Sequence, residues 1–126
     1  MPRERAPSIA RMELEAVRLL ALALPEVTEE PHFEMTSWRI RNRLFATAPP
    51  EGDRLHVFVD EGEVVAAVAE DPAAFEELWW GKRLSGVRVN LAEADAGRVQ
   101  DLLAEAWLRK APKRLATKFQ ADGADA

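Results

Sequence analysis

The stretch Phe33–Ala48, FEMTSWRIRNRLFATA, constrains the fold of this chain more than any other. Arg41-Asn42 falls at its centre with extended-type segments on both sides, so it reads as a strand, a tight turn and a returning strand. Residues two apart in a strand project to the same face. Arg39, Arg41 and Arg43 are spaced in this way, and Phe33, Met35, Trp38, Ile40, Leu44 and Phe45 supply the apolar counterweight. The hairpin therefore predicts a sheet edge or wing with a basic, solvated side. Arg39 and Arg41 share a face, whereas the side taken by Arg43 depends on the turn type.

A chain of 126 residues has the size of one domain and buries roughly two-thirds of its unfolded surface. Hydrophobic residues make up 48% of it, enough for a real core and against disorder or a fibrous class. There is no cysteine, which excludes disulfides, thiolate zinc sites and thiol nucleophiles. No apolar run approaches the ~20 residues of a membrane span, and MPRERAPS is not followed by the apolar segment of a signal peptide. The expectation is a soluble cytoplasmic protein without membrane contact: a flexible N-terminus over 1–7, one domain over 8–119 and a flexible tail over 120–126.

Along the chain, Pro7-Ser8 offers an N-cap for a helix from Ile9 to Leu24, which Pro25 ends. Val27–Pro31 reads as an acidic connection into the hairpin. Leu55–Val59 is a strand, Asp60-Glu61-Gly62 a turn, and Val64–Val68 the returning strand. Asp71-Pro72 opens a short helix in which Phe75, Leu78 and Trp79 dock on the sheet and Gly81 is the stop. Ser85–Leu91 is a half-buried strand, and Ala94–Lys110 a helix with acids early and Arg109 and Lys110 late, as its dipole favours. The expected class is α+β, a single antiparallel sheet with N- and C-terminal helices packed on it, in the order α-β-β-β-β-α-β-α.

Formal net charge is −5, but it is uneven. Residues 50–77 are acidic against Arg54 alone, whereas residues 107–119 hold Arg109, Lys110, Lys113, Arg114 and Lys118 with no acid. Screening acts over about 8 Å at physiological salt, so separate faces of one molecule can carry opposite potentials. No nucleophile elbow or phosphate-binding glycine loop is present, and no enzyme is read. His32 and Glu34, with Glu29 and Glu30 nearby and His56 elsewhere, have ligand chemistry for a divalent metal, but a surface acidic loop accounts for them and no metal or other cofactor is assigned. Trp79 and Trp107 read as core. Trp80, followed at once by Lys82 and Arg83, reads either as a loop tryptophan covering the end of the sheet or as a contact residue for nucleic acid or an anionic ligand.

The chain resembles the MmcQ/YjbR family of small bacterial proteins. The resemblance rests on Leu24-Pro25-Glu26-Val27-Thr28-Glu29, on Trp38 to Ala46, on Asp71-Pro72, on Trp79 to Leu91, on Leu102-Leu103 through Ala106-Trp107 and on Ala111-Pro112-Lys113. Arg41-Asn42-Arg43 stands where members often have a glycine-lysine turn, and Ala106-Trp107 where many have Ser-Tyr. The resemblance implies a CyaY-like or secretion-chaperone-like fold and DNA binding through a double-wing arrangement of hairpins. Carried onto this chain, it gives Arg39, Arg41 and Arg43 as wing residues and Lys82, Arg83 and Arg88 as a second patch. The leading expectation is a nonenzymatic DNA-binding domain, a monomer or weak homodimer, contacting DNA through these residues and Trp80. The alternatives are a protein-interaction module of secretion-chaperone or frataxin-like type with an unidentified protein partner, and a small-ligand domain with a pocket lined by Trp38, Phe58 and Trp80.

Overall fold

A tight two-residue turn can join twisted strands when both of its residues take left-handed backbone. Arg41 and Asn42 do so, at φ 51° and 69°, in a computed structural model that describes residues 12–125 of the chain. The described elements run α1 (Leu14–Leu22), β1 (Val27–His32), β2 (Met35–Ile40), β3 (Arg43–Ala48), β4 (Arg54–Val57), α2 (Glu61–Glu70), β5 (Phe75–Trp80), β6 (Arg83–Asn90), α3 (Ala96–Lys110) and α4 (Lys113–Asp125). Every strand joins one antiparallel sheet of order β1-β2-β3-β4-β6-β5. The expected class holds, and the order becomes α-β-β-β-β-α-β-β-α-α.

Several elements differ from the sequence expectation, each for a local reason. Pro7-Ser8 and Ile9 lie outside the described residues, but Met12 and Glu13 are not helical. The Met12 amide instead donates to the Leu91 carbonyl at 2.9 Å, and α1 starts only after an extended Glu13. The acidic connection at Val27–Pro31 is β1, paired in full register from Val27↔Ile40 to His32↔Met35. Pro31 is tolerated because β1 lies at the sheet edge, where no further strand needs its missing donor. Asp60 is a helix cap rather than a turn residue: its carboxylate accepts from the Glu63 amide at 3.0 Å, and Val64–Val68 lies inside α2. The helix expected after Asp71-Pro72 is β5, which turns at Gly81-Lys82 into β6 with Trp80 opposite Arg83. Gly81, at φ 62°, serves that turn. The tail expected from Gln120 continues α4 to Asp125.

Alternation divides the sheet into unlike faces. One bears Trp38, Ile40, Ala46, Leu55, Val57, Val87 and Val89, all buried, and takes the apolar stripe of α3, Val99, Leu102, Leu103, Ala106 and Trp107. At some 25 cal/mol for each Å² of apolar surface removed from water, this interface is the main stabilising term of the fold. The other face carries a polar row across all the strands in register: Glu30, Ser37, Thr47, His56, Arg88 and Glu76. Between β2 and β3 the register slips at Trp38/Arg39, which leaves Phe45 as the extra residue, and it is fully buried.

Candidate functional site

The wing turn projects from the sheet next to the end of α3, and one hydrogen bond joins them. The Arg43 Nη1 donates to the Lys110 carbonyl at 3.1 Å, across 67 positions of sequence. The last carbonyls of a helix have no intrahelical donor, so a guanidinium placed there satisfies one of them and complements the dipole. Beside this contact the Arg109 Nη1 donates to the Phe58 carbonyl at 2.9 Å, where the chain leaves β4. Phe58 in turn lies against the Trp80 indole, ring centroids 5.1 Å apart.

These contacts wall a groove of about 570 Å³ in which Arg43, Arg83, Arg109 and Lys110 converge with Trp80. Trp80 remains 56% exposed. Among the described residues, none of the four cations forms an ion pair, although Asp60 and Glu61 also line the groove. Lys110 registers the crowding. Partial burial lowers its pKa from the usual lysine value, and Arg109, Arg43 and Arg83 lower it further. A cluster of four cations that repel one another, against two acids that pair with none of them, attracts an anion. The neighbouring indole offers a flat face to a ring.

The residues expected to make contact are thus divided. Arg43, Trp80 and Arg83 meet in the groove, and Lys82 is exposed in the adjoining β5–β6 turn. Arg41 points elsewhere and is paired with Glu26 at 2.5 Å, which raises the arginine's pKa and lowers the carboxylate's. Arg39 and Arg88 stand on the polar sheet face. Arg39 donates to the Ser37 Oγ at 3.1 Å and lies 3.3 Å from the His32 Nδ1, and Arg88 is paired with Glu76 at 3.0 Å. The arginines of the hairpin therefore serve different surfaces. Arg109 and Lys110, read from sequence as complements to a helix dipole and as part of the acid-free run 107–119 but not as contact residues, are full members of the site. The basic run marks them as cations, and only the Arg43 contact places them beside Trp80 and Arg83.

Other expectations resolve in the same way. Trp107 is fully buried, but Trp79 is 49% exposed with its Nε1 donating to Glu77, so it is not core. Trp38 is fully buried and donates to Glu29 at 3.0 Å, so of the pocket suggested for Trp38, Phe58 and Trp80 only the last two meet. Phe33, counted among the apolar residues of the hairpin, is 89% exposed at the β1–β2 turn. Glu29 also takes Arg18 at 2.8 Å and so belongs to the packing of α1 on β1. His32 and His56 lie on β1 and β4, three strand spacings apart and offset by two residues along the strand, about 16 Å in all. No group of three or more His, Asp or Glu placed to hold a metal ion occurs among the described residues.

The YjbR family model matches residues 22–109, which take in the whole sheet and nearly all of α3. The chain belongs to the YjbR family. Uncharacterized proteins of Mycobacterium tuberculosis and Mycobacterium bovis are 31% identical to this YjbR protein, over 79% of it and 88% of each relative. A crystal structure of a Deinococcus radiodurans protein with the family-model domain DUF419 has a TM-score of 0.68 at 19% identity, covering 82% of this chain and 80% of that one. That likeness is one of fold. Within the YjbR match lie Arg43, Trp80, Arg83 and Arg109, whereas Lys110 and α4 fall beyond it. No helix of the described residues is long and apolar enough to cross a membrane.

Proposed function

We propose that this YjbR protein is a nonenzymatic nucleic-acid-binding domain that holds a phosphodiester backbone in the groove between the wing turn and the end of α3. One observation carries the reading: four cations without acid partners among the described residues converge beside a half-exposed indole. Guanidinium groups bind phosphate oxygens through paired donors, and an indole face stacks on a base of any sequence. Net charge of −5 makes most of the surface unfavourable to a polyanion, so binding depends on the local cations and falls steeply with salt. A contact site of this kind supplies affinity and position with little sequence readout. The alternative, a protein-interaction module, draws its support from Leu19 and Val65, large aliphatic side chains left exposed on α1 and α2.

Fluorescence anisotropy with labelled single-stranded and duplex DNA at low salt tests the reading. Binding is expected, with a linear fall of log affinity against log salt. Arg43→Ala/Arg83→Ala should flatten that slope by about 1.4, the share of two phosphate contacts on a single strand. Trp80→Ala should weaken single-strand binding by about 1–3 kcal/mol, the worth of one stacked base. Absence of binding to either DNA at low salt removes the proposal, and binding that the arginine variants leave untouched removes the groove from it.

A further inference from the structure

The groove has a neighbour on the far side of the Arg43 contact. From that hydrogen bond the hairpin runs back through Asn42 to Arg41, and the other chain segment runs forward from Lys110 through Pro112 into α4. These two segments wall a second cleft of about 370 Å³, lined by Glu26, Arg41, Pro112, Arg114, Leu115 and Lys118. Both hollows therefore share the wing turn on one side and the α3–α4 junction on the other. Arg114 and Lys118 form no ion pair among the described residues, and both come from α4, beyond the stretch that matches the family.

Glu26 is the one acid of this cleft, and its placement is unusual. Its backbone lies at φ 59°, a left-handed conformation that glutamate seldom adopts. Its carboxylate accepts from the Arg41 Nε and faces the same hollow as Arg114 and Lys118. The pair is solvent-exposed, at 57% for the arginine side chain and 46% for the glutamate. Exposed pairs contribute little and exchange readily for another anion.

We propose that this second cleft is a phosphate subsite continuous with the groove, and that the Glu26 carboxylate occupies it as a built-in competitor. The ligand is then a single strand, since within a duplex the face of each base is covered by its stacked neighbours and is closed to an indole. Its backbone runs from Arg83 and Arg109 past the wing turn, replaces Glu26 on Arg41 and meets Arg114 and Lys118. This extends the groove reading and depends on it.

The test uses the full chain, anisotropy, and oligodeoxythymidylates of about four and about twelve nucleotides, the range of single-strand sites on small domains. Arg114→Ala/Lys118→Ala should reduce affinity for the longer strand, flatten its salt slope by about 1.4 and leave the shorter one unchanged. Glu26→Gln should tighten the longer strand and steepen its slope by about 0.7, because one more cation is then free for phosphate. All substituted side chains are exposed, and unchanged melting curves confirm intact folds. If the longer strand binds but neither variant alters it, or Glu26→Gln weakens it, the subsite is overturned while the groove stands. If the longer strand does not bind while duplex DNA does, the subsite alone is overturned, and if neither binds, both are.

Discussion

A histidine set between a buried threonine and an arginine cannot titrate as it would in water. His56 stands opposite Thr47 on one side and Arg88 on the other. Burial lowers its pKa from the ordinary 6.5, and the Arg88 charge lowers it further. The folded protein thus prefers the neutral ring, whereas the unfolded chain takes up a proton first as pH falls. Between the unfolded value and the lower folded one the unfolded state holds more protons, so stability declines as pH drops from about 6.5 through that window. Urea midpoints measured at pH 7.5 and 5 should show this loss, and His56→Gln should flatten it. A slope unchanged by that substitution would assign the acid sensitivity to other groups. At this same scale the site was partly legible. Arg43, Trp80 and Arg83 carry their chemistry in their identity and immediate neighbours. Arg41 does too, but its partner Glu26 sits 15 positions away, and nothing local to the hairpin announces that pairing.

Elements reveal why some segments could be read and others could not. The β2–β3 hairpin was legible because asparagine at a left-handed position and strand-like flanks agree. Asp60 was ambiguous in kind: aspartate serves both turns and helix caps, and VVAAV suits either a strand or a buried helix face. What decides is the Glu63 amide, which donates to Asp60 once α2 forms. Asp60→Ala should accordingly destabilise the protein by about 1 kcal/mol in urea unfolding, with Asp60→Asn nearly neutral; equal losses in both would mean the cap is immaterial. The β5 strand misleads for another reason. Phe75 and Leu78 are buried three positions apart, the spacing of a helix face. In the sheet they lie on opposite faces, with Phe75 across from Val89 and Leu78 across from Gly86. Gly86 is itself fixed by its surroundings, since an added Cβ would lie 2.1 Å from the Val57 carbonyl oxygen.

For the whole molecule, Trp107 is the point through which the helical layer is held together. It is fully buried on α3, its Nε1 donates to the Pro25 carbonyl at 3.0 Å, and its ring meets Phe119 of α4 at 4.9 Å between centroids. Trp107→Ala should destabilise by about 3–5 kcal/mol, as large aromatic truncations in cores do. Trp107→Phe keeps most of the volume and leaves the Pro25 carbonyl without its donor, a loss of about 1 kcal/mol. Urea unfolding of the two variants side by side separates packing from hydrogen bonding, and similar losses would contradict this division. The order of the sheet has a kinetic meaning as well. Apart from β4 with β6, every strand pairs with a neighbour in sequence, so most of the sheet can zip through short loops. Within the sheet, only the closure across α2 and β5 must wait for distant segments to meet, and the entropy of that encounter, rather than the number of strands, limits how fast the sheet can assemble.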